Sequence, residues 1–184
     1  MGLALAVLLA IALGVALLYN SLARLRLLAA NAWADIDVQL KRRHDLIPAL
    51  VASVQGHAGY ERQTLESVVE ARNRAAGAGG PAAAGEAEGK LATQVRQIIA
   101  LAEAYPDLKA SESFLTLQRT LSEIEDHIQN ARRYYNAVVR DLNTRLAQFP
   151  ANLVAGLFGF QPREFFGLAD SSEGAAPRVD LGGR

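Results

Sequence analysis

The chain has 184 residues, with 19 Lys plus Arg against 19 Asp plus Glu, three His, no Cys, and 51% hydrophobic residues of which few are aromatic. That length supports one domain. The balanced charge and pI near 6.8 give no electrostatic footprint for nucleic acid, and the lack of cysteine excludes a disulfide framework and thiolate metal sites.

Leu3 to Leu18 contains only Leu, Ala, Val, Ile and one Gly, with Tyr19 and Asn20 at its polar edge. A run this apolar on every face suits a bilayer. Residues 1–18 would span about 27 Å as a helix, slightly short of the ~30 Å hydrocarbon core. The sequence therefore predicts a single-pass anchor over residues 1–19, formed by Leu3, Leu5, Val7, Leu8, Leu9, Ile11, Leu13, Val15, Leu17, Leu18 and Tyr19. A cleaved signal peptide is the alternative, but no Lys or Arg precedes the apolar run. Arg24 and Arg26 follow it, with Lys41, Arg42 and Arg43 further on. The positive-inside rule then puts the N-terminus outside and the body in the cytoplasm, with a periplasmic body as the other orientation.

Trp33, Ile36, Leu40, Ile47, Leu50, Val51, Val54 and Ala58 recur at helical spacing among charged neighbours, predicting an amphipathic helix continuous with the anchor. Pro48 should kink this rod without ending it, because the apolar stripe resumes in phase at Leu50. Gly56 and Gly59 could loosen it. A second helix is expected over Tyr60 to Ala75. The stretch Gly77 to Gly89, GAGGPAAAGEAEG, reads as a flexible linker. Helix resumes around Lys90 and stops before Tyr105-Pro106-Asp107, where the residue preceding proline is disfavoured in the α region.

Ser111 is a candidate N-cap. From it run Phe114, Leu117, Leu121, Ile124, Ile128, Ala131, Tyr135, Val138, Leu142, Arg145 and Phe149, at spacings alternating three and four. This period of 3.5 predicts a coiled-coil-like seam in a helix of about 37 residues, roughly 55 Å long. Its natural partner is the rod rising from the anchor. The expected fold is all-α: an N-terminal transmembrane helix continuing into a long antiparallel bundle of three to four helices over residues 20–166. Residues 153–166 gather apolar side chains without a heptad and five of the six phenylalanines lie from 149 onward. They read as a capping segment, or as an aromatic patch touching the membrane interface or another subunit. Residues 167–184 read as a disordered tail.

No motif for catalysis, cofactor or metal emerges. Glu-x-x-His di-iron spacing is missing, since Ile124 stands three residues before His127; the i,i+4 pairs His57/Glu61 and Glu123/His127 read as solvated helix surface. No catalytic, cofactor-binding or metal-binding residue is assigned. The candidate interaction surface is Arg42, Arg43, Arg132, Arg133, Phe158, Phe160, Phe165 and Phe166. The basic groups at 39–45 and 132–136 could face each other in an antiparallel pairing.

The strings IDVQLKRR, DLIP, YPDLKA and RRYYN, followed by FPANLVAGLFGF, closely resemble the LemA family over about Tyr19 to Phe166. The resemblance implies a bacterial single-pass membrane protein with an all-helical body and no established activity or cofactor. The reading that follows is a non-catalytic membrane scaffold that self-associates, with the bilayer and further copies as partners. The rival is an adaptor for a peptide or another membrane protein, such as a membrane protease, using a groove beside Pro48 and the linker.

Overall fold

In a computed structural model, residues 1–55 and 62–167 are described, and those residues form helices without strands. They comprise α1 (Gly2–Gln55), α2 (Arg62–Ala76), α3 (Pro81–Glu103), α4 (Pro106–Lys109), α5 (Glu112–Ala147) and α6 (Ala151–Phe158). The expectations concerning Gly56, His57, Ala58, Gly59, Tyr60 and Glu61, and the tail from 168 onward, lie outside the described residues.

The expected anchor and the first bundle helix are one element. α1 is 54 residues long and passes through Pro48 without a break, and its buried positions resume at Leu50 and Val51. Its first part contains an 18-residue window long and apolar enough to cross a membrane, none of it buried within the chain. From Leu22 onward, Ala29, Ala32, Ile36, Leu40, Ile47, Leu50 and Val54 face inward. Small residues at 29 and 32 leave room for close helix approach, and Ile36, Leu40, Ile47, Leu50 and Val54 fill the interior beyond.

α5 is the most extensive partner of α1. Three apolar clusters fix their relative direction. Ile47 to Val54 share a core with Phe114 and Leu121, Ala29 to Leu40 with Ile124 to Val139, and Leu22 with Leu146 and α6. Rising numbers on one helix meet falling numbers on the other, so the pair is antiparallel. The α2–α3 hairpin packs on the far half of α1, and Leu65, Val68, Leu91, Val95 and Ile98 close the first core.

The seam on α5 holds from Phe114 to Leu142, with Leu117 and Ala131 half-buried. Its last two members do not follow: Arg145 and Phe149 are exposed, and Val139 and Leu146 turn inward instead. Phe149 lies beyond the end of α5 at Ala147, and Arg145 leaves the seam because a straight helix drifts about 20° per heptad against a strict 3.5 repeat. Ser111 is the N-cap by position, yet its hydroxyl contacts Ser113 Oγ at 2.9 Å and does not cap the helix.

The segment 77–89 differs most from expectation. It is a short turn, with Gly80 at φ +83°, followed by two turns of α3. Pro81 sits in the first turn, where its missing donor costs nothing and its fixed φ suits a helix. The alanines that follow are the strongest helix formers, and Ala84 and Glu88 are buried. Low complexity here reflects helix propensity and tight packing, so the linker reading is corrected.

Candidate functional site

Two constellations carry most of the chain's specific polar chemistry. The first is a buried charge cluster at the middle of the bundle. Arg43 and His44, adjacent on α1, are both buried, as is Glu88 on α3. Arg43 Nη1 donates to Glu88 Oε2 at 3.2 Å, and Nη2 meets Glu125 Oε2 of α5 at 2.8 Å. His44 Nε2 contacts Glu88 Oε1 at 2.5 Å, and its main-chain carbonyl accepts from Arg72 Nε of α2 at 3.3 Å. One arginine thus joins α1, α3 and α5, and its neighbour ties in α2. A buried ion pair adds little net stability over apolar packing, but removing one partner strands a charge. The cluster's contacts join four helices, α1, α2, α3 and α5.

Beside it, α3 and α5 leave a groove of about 460 Å³, lined by Arg43, Glu88, Arg96, Glu125, Gln129, Arg132 and Phe166 among others. At its rim Lys90 Nζ bonds Glu86 Oε1 at 2.6 Å, and this lysine holds the exposed Glu86 carboxyl below its ordinary range.

The second constellation is an extended strap, Phe160 to Gly167, lying back along α5. Asn143 donates to the Arg163 carbonyl at 2.9 Å and accepts from the Arg163 N–H at 2.9 Å. Asn136 does the same with Phe166, at 3.2 and 3.0 Å. The match is metric: seven helical residues advance about 10.5 Å and three extended residues about 10 Å. Between them, Tyr135 donates its hydroxyl to the Glu164 carbonyl at 2.7 Å. Burial pushes the Tyr135 phenol up; Arg163 opposes the rise and Glu164 adds to it. Phe166 lies against Trp33 at 5.5 Å between ring centroids, and Trp33 against Tyr135 at 5.7 Å. The strap ends where Gly167 crosses Gly85 of α3. A Cβ on Gly85 would lie 2.4 Å from Gly167 N, so the crossing requires glycine there.

These placements divide the expected interaction surface. Arg42 and Arg133 are exposed, Arg132 is half-buried, and Phe158 and Phe165 are partly exposed at 50% and 42%. Arg133 bonds Asn130 and Arg132 bonds Gln129 at 3.4 Å, both within α5. Arg43, Phe160 and Phe166 are interior and are withdrawn from the surface: the arginine is held by two carboxylates, and the two rings fill the lower cores. The basic groups at 39–45 and 132–136 are not set directly opposite each other, although Arg43 and Arg132 line the same groove. Antiparallel register sets Glu125 opposite Arg43, and puts Tyr135 beside Trp33 instead. Among the described residues no group of three or more His, Asp or Glu could hold a metal.

Sequence patterning missed Glu88, one of two acids in an alanine-rich run, the other being the exposed Glu86. It also missed Asn143, although Asn136 and Asn143 stand seven apart on one helix face, a spacing visible in the sequence.

The family model described as LemA family matches residues 32–181, from the bundle half of α1 through the strap. Magnetosome protein MamQ 2 of Paramagnetospirillum magneticum is 24% identical, over 72% of this chain and 58% of its own length. MamQ of Magnetospirillum gryphiswaldense gives the same figures. Protein LemA of Metamycoplasma hominis is 26% identical, over 82% of this chain and 67% of its own. The chain thus spans under two thirds of the magnetosome relatives.

Proposed function

We propose, from the premise that the chain belongs to the LemA family, that it is a non-catalytic, membrane-anchored scaffold that self-associates. The observation that carries this reading is the unbroken α1. Its apolar first part is left unburied by the chain and is touched near its end by α6, and its second part is the spine of the bundle. A span continuous with a core helix transmits orientation from bilayer to body without a hinge. Confinement to two dimensions raises effective concentration, so weak lateral contacts suffice for assembly. Leu27, Ala34 and Val38, at spacings of seven and four, form an exposed stripe on α1 just beyond the span and supply such a contact. Arg24 and Arg26 favour a cytoplasmic body.

Native mass spectrometry of the full-length protein, gently extracted in lipid, tests this. A discrete oligomer that Leu27→Glu with Val38→Glu dissolves supports the scaffold. A monomer at every loading overturns it.

One observation favours a second reading, an adaptor for a peptide or membrane-protein partner. The groove between α3 and α5 offers fixed charges of both signs beside the apolar Phe166 and Ile128. An adaptor would lose its partner on Arg96→Glu while keeping its oligomeric state; a scaffold would be indifferent to that change.

A further inference from the structure

α6 is held against the end of the apolar run, away from the middle of the bundle. Its buried face, Val154 and Ala155, joins Phe160 around Leu22 and reaches Val15 and Leu18. Phe158 stands edge-on to Tyr19, 4.9 Å between centroids, and lines a cleft with Ala12, Val15 and Ala16. At about 1.5 Å per residue, Val15 lies roughly 6 Å inside the run from Tyr19 and Ala12 roughly 10 Å. That depth matches the ~5–10 Å to which interfacial helices bury their apolar faces.

The opposite face of this segment is apolar and uncovered. Phe149, Leu153 and Leu157 are 78%, 63% and 77% exposed. No charged residue occurs from 146 to 162, whereas Arg145 and Arg163 bracket the stretch. Arg26 stacks over the Phe160 ring at 5.1 Å, at the level expected of a headgroup. An isolated apolar patch would leave its occupant open. This one is continuous with the exposed apolar surface of the candidate span, through Phe158 and Tyr19.

We infer that α6 is a second membrane contact: an interfacial helix seated in the acyl–headgroup boundary beside the span, with lipid against Phe149, Leu153 and Leu157. The inference rests on the span reading and extends it. Two attachments fix the tilt and rotation of the body on the bilayer, which one helix leaves free. They also accommodate the short span, because a run of about 27 Å beside an inserted helix favours locally thinned lipid.

The test uses the absence of cysteine. Nitroxides are attached singly at Leu157→Cys, at Leu153→Cys, at Leu9→Cys within the span, and at Glu123→Cys on the exposed face of α5. The full-length protein is reconstituted in phosphatidylcholine–phosphatidylglycerol vesicles. Collision rates with oxygen and with a water-soluble nickel chelate are then compared. The expected result is an oxygen-to-nickel ratio at 153 and 157 several-fold above that at 123 and approaching that at 9. A lipid-like value at 9 with water-like values at 153 and 157 overturns the inference and leaves the span standing. Water-like values at all three overturn both. Shielding from both reagents at 157, with spin–spin broadening, means that a second copy covers α6, and also overturns it. Both labelled α6 positions are largely exposed, so labelling them removes no core contact.

Discussion

The two halves of α1 obey opposite rules within one uninterrupted helix. Before Leu22 none of its residues is buried by the chain and every position but the edge is apolar; after it, eleven buried positions, counting Leu22, follow helical spacing and include the polar residues Arg43 and His44. The first half is apolar on every face and meets the chain where α6 touches Val15 and Leu18, whereas the second is patterned because its surroundings differ by face. Composition alone therefore reports a solvent, and periodicity reports a partner. The consequence is one unbroken helix shared by an exposed apolar run and a packed bundle.

The sharpest way to break this comparison is Glu88→Ala. It takes from His44 its buried carboxylate partner and leaves Arg43 with Glu125, and should cost about 3 kcal/mol of bundle stability, read as a lower urea midpoint, with membrane partition unchanged. Leu9→Arg should do the reverse. It should cost about 3 kcal/mol of insertion, read as release from vesicles, while the bundle unfolds as before. If either variant changed both properties equally, the halves would not be separable.

The fold was legible where pattern reflects environment. The apolar run, the stripe from Ile36 to Val54 and the seam from Phe114 to Leu142 each depend on many residues repeating one requirement. The remainder depends on single residues meeting single partners. Glu88 is significant only because Arg43 and His44 arrive from another helix. The alanine-rich stretch around it looked like a linker because propensity and disorder share a composition. Arg43 looked like surface because charge is usually solvated, and only the structure shows its two carboxylates. Phe160 and Phe166 could not be told from exposed rings without the strap that returns them to the core.

Smaller effects sharpen the comparison along the seam. Asn143→Ala removes both bonds to Arg163 and should cost about 2 kcal/mol, seen as faster hydrogen exchange of the Arg163 and Phe166 amides and not of the amides near Leu50. Tyr135→Phe should cost about 1 kcal/mol at neutral pH, through loss of the bond to the Glu164 carbonyl. Burial raises the Tyr135 phenol in the folded state, so the unfolded chain releases its proton first. The native protein should accordingly lose stability as pH rises past about 10. Tyr135→Phe should flatten that alkaline loss, which urea midpoints taken against pH would show.

The central claim is that one continuous helix carries both membrane span and bundle spine. Hydrogen exchange of the full-length protein in lipid nanodiscs addresses it directly. The account predicts slow exchange running without a gap from about Leu5 through Tyr19 and Leu22 to Val51. A fast-exchanging break between Tyr19 and Arg26 would contradict it by revealing a hinge, and fast exchange throughout residues 5–18 would contradict it by removing the span.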